Sequence, residues 1–259
     1  MAMISMTTTA TNLNNSNLSK PLLGWLAALD PDVHLYAIIS AASEAEPVRY
    51  YFQLDGATIV WPLYANTHYA DWHPVMPYLV KLSRHSPFLD WVNTTEATDW
   101  GWLFASSQEA SELAPYFTSL TQATMPEGER VFFRYWDGDY FSLILSQQNE
   151  QTCSLLPPMR ACWVNGHTFT FYPDNTTTAK PFAWWQLSDA LLKQLAKADS
   201  RPLITNLLQY LQENRGDLWL SFPNNILENK VRYFVENYQG EPEKITAALC
   251  EQLSEEQTL

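Results

Sequence analysis

The eight residues from Arg130 to Asp137 read Arg-Val-Phe-Phe-Arg-Tyr-Trp-Asp, and this pattern restricts the local fold more than any other part of the chain. Valine and aromatic residues favour strands, so the run predicts a buried β-strand with a polar end. An Asp-Gly-Asp turn follows at residues 137–139, and Asp is a preferred residue at the start of a helix. We therefore expect a strand, a charged corner fixed by pairing of Arg134 with Asp137, and a helix over 139–147.

Other segments carry either strand or helix periodicity, which predicts an α+β fold. Asn165 and Gly166 separate two β-rich arms, and this dipeptide is typical of a type I′ hairpin because both of its central residues need positive φ. Predicted strands cover 33–40, 48–54, 75–82 and 99–105, and predicted helices cover 21–29 and 108–120.

The last third of the chain has a different pattern. Leucines recur every four residues, for example at Leu203, Leu207 and Leu211, which is typical of amphipathic helices. The Thr- and Asn-rich start of the chain predicts a flexible tail. We predict an α+β protein in which a mixed β-sheet body with flanking helices and a β-hairpin precedes a C-terminal all-helical lobe. The predicted parts are a tail at 1–19, an α+β domain at 20–178 and the helical lobe at 179–259.

The charge balance argues against nucleic acid as a partner. Fifteen Lys and Arg residues stand against 28 Asp and Glu residues, for a net charge of −13, and no basic cluster offsets the resulting repulsion of phosphates. No apolar run approaches the ~20 residues of a membrane span, and the first residues lack a signal-peptide pattern. The three cysteines form no CxxC motif, which suits a reducing compartment. We expect a cytoplasmic protein that binds neither nucleic acid nor membrane.

Candidate catalytic and metal-binding groups are few. His68 and His73 lie five residues apart in a loop-like segment with Pro74, a context that does not favour a metal site. Asp137 and Asp139 match the Asp-x-Asp pattern with which sugar-transferring enzymes hold a divalent ion, but an ordinary capping turn explains the same residues. No nucleophile elbow, phosphate loop or dinucleotide motif is present. We therefore expect no enzymatic activity, no cofactor and no metal.

Aromatic residues are abundant, with 11 Trp, 13 Tyr and 12 Phe, and both cores and protein interfaces use them. Trp184 and Trp185 lie where the body gives way to the helical lobe. Neighbouring residues on a helix point about 100° apart, so one ring can face outward, and burial of both rings is the alternative. We expect partner contacts at this junction and on the helical lobe, at Trp184, Trp185, Leu187, Tyr210 and Trp219.

Four blocks, in this order, resemble the type VI secretion effector adaptors, the Tap/Tec-like chaperones that load effectors onto the VgrG spike. The blocks are Pro77-Tyr-Leu-Val-Lys-Leu82, Ser86-Pro-Phe-Leu-Asp-Trp91, Trp100-Gly-Trp-Leu-Phe104 and Phe133-Arg-Tyr-Trp-Asp137. The resemblance covers roughly residues 34–163 and continues more weakly to about residue 251. The turn after the last block is shorter and less basic here than is usual in the family.

The resemblance implies a non-enzymatic protein in the cytoplasm of a Gram-negative bacterium. Its implied partners are one type VI effector, as cargo, and the VgrG spike protein. It also implies that Arg130, Arg134, Asp137, Trp100 and Trp102 organise the structure of the family motif rather than contact a substrate.

Two other functions remain open from the sequence. An immunity protein that neutralises a basic toxin accounts for the net charge of −13. A metal-dependent glycosyltransferase would use Asp137 and Asp139 to hold its metal ion.

Overall fold

The structure, a computed structural model, describes residues 19–56, 59–147, 155, 158–171, 180–240 and 244–257. The chain divides into two compact units, Met1–Asp189 and Ala190–Leu259. The predicted tail at 1–19 lies almost entirely outside the described residues, as does Cys153. Together the units confirm the predicted α+β class with a C-terminal helical region.

The described part of the first unit contains a six-stranded sheet, a three-stranded sheet and the helices that flank them. Its helices are α1 (Ser19–Ala28), α2 (Pro47–Asp55), α3 (Phe88–Thr94), α4 (Ala110–Ser119) and α5 (Gly138–Ser146), with a 3₁₀ turn at His73–Val75. Its strands are β1 (His34–Ser40), β2 (Val60–Pro62), β3 (Pro77–Leu82), β4 (Gly101–Ser106), β5 (Gln122–Thr124), β6 (Arg130–Phe132), β7 (Ala161–Val164), β8 (His167–Thr170) and β9 (Trp185–Gln186).

The larger sheet is antiparallel throughout, in the order β2-β3-β1-β4-β7-β8. The smaller sheet has the order β6-β5-β9, in which β5 is antiparallel to β6 and parallel to β9. Strand β1 lies inside the larger sheet between β3 and β4, and six of its seven residues are buried. Burial on both faces explains why this strand is an almost unbroken apolar run in the sequence.

Side chains alternate between the two faces of the larger sheet, and the two faces have different cores. One face carries Leu35, Ala37 and Ile39 of β1, which belong to a core that also contains Trp100. The neighbouring positions of β1 point to the other face, where Tyr36 stacks on Phe104 of β4 with ring centroids 5.2 Å apart. The second face is therefore a largely aromatic core, which accounts for much of the aromatic content of the chain.

The predicted hairpin is confirmed. Strands β7 and β8 pair from Ala161↔Thr170 to Val164↔His167. Asn165 has φ of 49° and Gly166 has φ of 81°, as a type I′ turn requires.

Two predicted elements are wrong in type or length. Residues 48–54 form the helix α2 rather than a strand, because Pro47 and Tyr51, four residues apart, are the buried positions and Pro47 starts the helix. The predicted strand from Arg130 to Asp137 ends at Phe132. Phe133, Tyr135 and Trp136 are buried as predicted, but in an irregular segment.

The second unit is helical in its described part. Helix α6 begins at the last residue of the first unit, and its periodic leucines Leu191 and Leu195 are buried. Leu207, Leu211, Leu227 and Val231 lie in a separate core. The helices are α6 (Asp189–Ala198), α7 (Arg201–Asn214), α8 (Gly216–Ser221), α9 (Asn224–Asn237) and α10 (Ile245–Gln257).

The boundary between the units lies at 189/190, whereas the predicted domain boundary lies at 178/179. The difference has a structural cause, because β9 pairs with β5 and so ties Trp185 and Gln186 to a sheet of the first unit. Sequence periodicity does not reveal a pairing between strands that are sixty residues apart.

Candidate functional site

The charged corner after residue 133 is a capped helix start. The carboxylate of Asp137 accepts hydrogen bonds from the backbone N–H groups of Asp139 at 3.0 Å and Tyr140 at 3.2 Å. Arg134 donates from Nη2 to the other carboxylate oxygen of Asp137, Oδ2, at 2.5 Å. Both oxygens of this nearly buried carboxylate are therefore engaged, which favours the capping interpretation of the Asp-Gly-Asp turn over a metal chelate.

Burial dominates the electrostatics of this carboxylate. Loss of solvent raises the pKa of Asp137 above its ordinary value, while the Tyr140 N–H and Arg134 lower it and Asp139 and Asp99 raise it again. The charged carboxylate is therefore less favoured here than in water, because the backbone N–H groups and Arg134 do not fully replace the lost hydration.

Variants of Asp137 separate the cap from the charge. Asp137→Ala removes the acceptor and is expected to lower the free energy of unfolding by about 1 kcal/mol. Asp137→Asn keeps an acceptor and should restore most of that loss.

The raised pKa of Asp137 also makes stability depend on pH. The protonated carboxyl adds to the free energy of unfolding below pH 3.8, the ordinary pKa of this group, and this contribution is lost as the pH rises through the higher pKa of the folded state. Urea titrations across acidic pH should show this pH-dependent contribution in the wild type and not in Asp137→Asn. Equal free energies of unfolding for Asp137→Ala and Asp137→Asn would contradict the cap.

Close backbone contacts hold the corner against the larger sheet. A Cβ atom at Gly138 would lie 2.4 Å from the carbonyl oxygen of Gly101 and 2.7 Å from that of Thr98. The Nδ2 group of Asn165 donates to the same Thr98 oxygen at 2.8 Å. The start of α5, the start of β4 and the β7–β8 turn therefore meet at one point, and a side chain at residue 138 would separate them.

The corner joins the sequence blocks. Trp102 of the third block donates from Nε1 to the Tyr135 carbonyl of the fourth block at 2.7 Å, and its ring stacks on Phe141 at 4.5 Å. Trp100 packs against Phe88 and Trp91 of the second block, with centroids 6.0 Å and 5.9 Å away. The first block is β3, which pairs with the β1 strand beside β4. All four blocks thus belong to one buried frame.

Arg130 lies apart from this frame. It is exposed at the start of β6, and the described residues offer it no ion-pair partner. Arg134 also has a largely exposed side chain, although its guanidinium is paired with Asp137.

Residues predicted to contact a partner lie in different environments. Trp184 is half-buried; its Nε1 donates to Ser119 Oγ at 3.0 Å, and Lys180 Nζ lies 3.8 Å from its ring centroid. Trp185 is buried and stacks on Phe133 at 4.6 Å. Leu187 is buried as well. The structure therefore places Trp185 and Leu187 in the interior, where they support the smaller sheet.

The two predicted contact residues of the second unit are accessible to different degrees. Tyr210 is 39% exposed. It lines an open groove of about 530 Å³ together with Arg215, Cys250 and Glu251. Trp219 is half-buried and packs against the core of the second unit.

Three aromatic side chains form a surface feature that no local sequence pattern predicts. Tyr69, Trp72 and Phe132, here called the surface aromatic cluster, contact one another, and Trp72 and Phe132 are 47% and 38% exposed. A tryptophan between Asp71 and His73 in a polar loop is the one signal that was available. Sequence alone does not bring it to Phe132, sixty residues away.

Within the part of the chain that the structure describes, no group of three or more His, Cys, Asp or Glu side chains is arranged to hold a metal ion. None of the helices found in those same residues has the length and apolar character needed to cross a membrane.

Comparison with known proteins shows which family this part of the chain is similar to. Residues 35–154, which contain all four blocks, match the family described as Domain of unknown function (DUF4123). This domain is that of the type VI secretion effector adaptors, so the resemblance drawn from the blocks is confirmed.

A curated relative is the Accessory protein VasW of Vibrio cholerae serotype O1, which is 22% identical over 201 residues. The match covers 75% of this chain and 66% of the relative, just under two thirds of its length. No solved structure is significantly similar to this chain.

Proposed function

We propose that this protein is a non-enzymatic adaptor that binds one type VI effector in the bacterial cytoplasm and loads it onto the VgrG spike. The observation that carries the proposal is the buried frame within residues 35–154, where four family blocks are joined through Trp100, Trp102 and the Asp137 corner. These residues are buried or bonded within the chain, which suits a scaffold. Cargo contact then falls to exposed side chains elsewhere.

The accessible members of the predicted contact set are our candidates for cargo contact. Tyr210 lies beside an open groove, Trp184 is half-exposed with Lys180 over its ring, and Trp219 lies on the same helical unit as Tyr210. Aromatic side chains of this kind carry a large share of binding energy at protein interfaces.

Capture from a lysate of cells with an active type VI system, followed by mass spectrometry, tests the proposal. The adaptor role predicts recovery of one large effector together with VgrG. Recovery of a small toxin alone, with loss of its toxicity and no dependence on the spike, would replace the adaptor role with an immunity role. Recovery of no type VI component would contradict both.

A variant pair tests the contact surface once the effector is known. Tyr210→Ala is expected to weaken effector binding about tenfold, the effect of removing one aromatic anchor. Tyr50→Ala is the matched control, because Tyr50 is 40% exposed, about as much as Tyr210, but lies on α2 of the first unit. Equal affinities of the two variants, measured by calorimetry, would remove Tyr210 from the interface.

A further inference from the structure

The rings of the surface aromatic cluster pack against one another although Trp72 and Phe132 are exposed. Trp72 and Phe132 are nearly parallel, with centroids 5.3 Å apart and an interplanar angle of 17°. Tyr69 meets both rings edge-on, at 5.2 Å from Trp72 and 4.6 Å from Phe132. Its hydroxyl accepts a hydrogen bond from Gln122 Nε2 of β5 at 2.7 Å. A partner that covers these rings would pay little to order them, which favours binding.

The same cluster borders an open strand edge. Strand β6 is the outer strand of the smaller sheet and, among the described strands, pairs with β5 alone. Two backbone hydrogen bonds show which residues of β6 bond to β5. They run from Phe133 N–H to Thr121 O at 3.0 Å and from Met125 N–H to Glu129 O at 2.7 Å. Because bonded positions alternate in an antiparallel pair, Val131 bonds toward β5, and the N–H and C=O groups of Arg130 and Phe132 point away from it.

The side chains on this edge define what an added strand must carry. Arg130 and Phe132 are two residues apart, so they share one face of β6, and both are exposed. Phe132 with Trp72 forms an apolar surface, and Arg130 is a cation without an ion-pair partner among the described residues. Glu129 and Val131 belong to the opposite face. An added strand therefore fits best when an apolar side chain faces Phe132 and a carboxylate faces Arg130.

We propose that the outer edge of β6 accepts an extended segment of the effector as an added strand, with an apolar residue over Trp72 and Phe132 and a carboxylate beside Arg130. The assignment of the segment to the effector rests on the proposed adaptor function, whereas the edge and its side-chain pattern do not. Main-chain bonds at Arg130 and Phe132 supply affinity in this mode, and the alternating side chains supply specificity.

A peptide pair tests the edge without any knowledge of the effector. The probe acetyl-Thr-Ile-Thr-Glu-Thr-Ser-amide places isoleucine and glutamate on one face of a strand, and acetyl-Thr-Thr-Ile-Glu-Thr-Ser-amide places them on opposite faces. Titration of the isotope-labelled full chain, followed by amide and indole NMR signals, should show shifts at Arg130, Phe132 and Trp72. We expect about tenfold weaker binding of the second peptide. Equal binding of both peptides, or shifts elsewhere only, would overturn the proposal.

Variants connect the edge to the effector. Trp72→Ala and Arg130→Glu change exposed side chains and should leave the fold intact. Each removes a proposed contact with the added strand, and each is therefore expected to weaken effector binding about tenfold. Tyr50→Ala is the control and should bind the effector as the wild type does. Full binding of the effector by both variants would overturn the inference and leave the adaptor function standing. If the protein bound the first peptide but captured no effector, β6 would still be a strand-binding edge, and the adaptor function would be overturned.

Discussion

Replacing Gly101 by alanine is expected to lower the free energy of unfolding by about 3–5 kcal/mol, because overpacking and backbone strain act together. A Cβ atom at this position would lie 2.0 Å from the carbonyl oxygen of Ile38, and Gly101 has φ of 136°, which side chains rarely allow. The neighbouring strand cannot shift to make room, because β1 is paired along its length with β3 and β4. Urea unfolding followed by tryptophan fluorescence measures the loss.

Two other glycines provide the controls. Gly128 has φ of 89°, and an added Cβ atom there would meet no other atom within 4 Å, so Gly128→Ala isolates backbone strain and should cost about 1 kcal/mol. Gly24 lies in α1 with open space and no positive φ, so Gly24→Ala should stabilise by up to about 1 kcal/mol. If Gly101→Ala and Gly128→Ala lowered the free energy of unfolding equally, the close approach of β4 to β1 would contribute nothing to the effect at Gly101.

Replacing Trp102 by alanine is expected to cost about 3–5 kcal/mol, as is typical when a large buried aromatic residue is removed. The ring is fully buried. It packs against Phe104, Phe117 and Phe141 with centroid distances of 5.2, 5.9 and 4.5 Å. Its loss would open a cavity where the larger sheet meets α4 and α5. The measurement is again the midpoint and slope of urea unfolding.

The hydrogen bond of Trp102 is tested separately. Trp102→Phe keeps an aromatic ring but leaves the buried carbonyl of Tyr135 without its donor, which should add about 1–3 kcal/mol to the smaller packing loss. Trp72→Ala is the matched control, because that ring is 47% exposed, and a surface substitution of this kind should change stability by about 0.5 kcal/mol or less. A loss in Trp72→Ala as large as that in Trp102→Ala would contradict the assignment of Trp102 as the buried link between blocks.

Local signals in the sequence predicted much of the fold. The Asn165-Gly166 turn, the strand at 33–40 and the leucine spacing after residue 190 each depend on chemistry within a few residues, and each matches an element of the structure. Residues 48–54 are predicted as a strand because Tyr50 and Phe52 favour strands locally, but they form helix α2. Tertiary packing decides otherwise, since the inward positions are Pro47 and Tyr51.

The candidate surfaces depend on contacts that sequence does not reveal. Trp184 and Trp185 are neighbours of the same type, yet one is half-buried and the other stacks inside on Phe133. Trp72 and Phe132 form one surface only because a loop and an edge strand meet in space. Alternation along β6 is visible in the sequence, but its position at the outer edge of a sheet depends on the whole topology.

Effector delivery in the native host tests the central claim most directly. A strain that lacks this protein should retain one effector inside the cell, while other substrates of the same type VI machine are still released, and the wild-type gene should restore delivery. Expression of the Trp102→Ala variant should fail to restore it, because the frame that joins the blocks is lost. Normal delivery of every effector by the deletion strain would contradict the adaptor function.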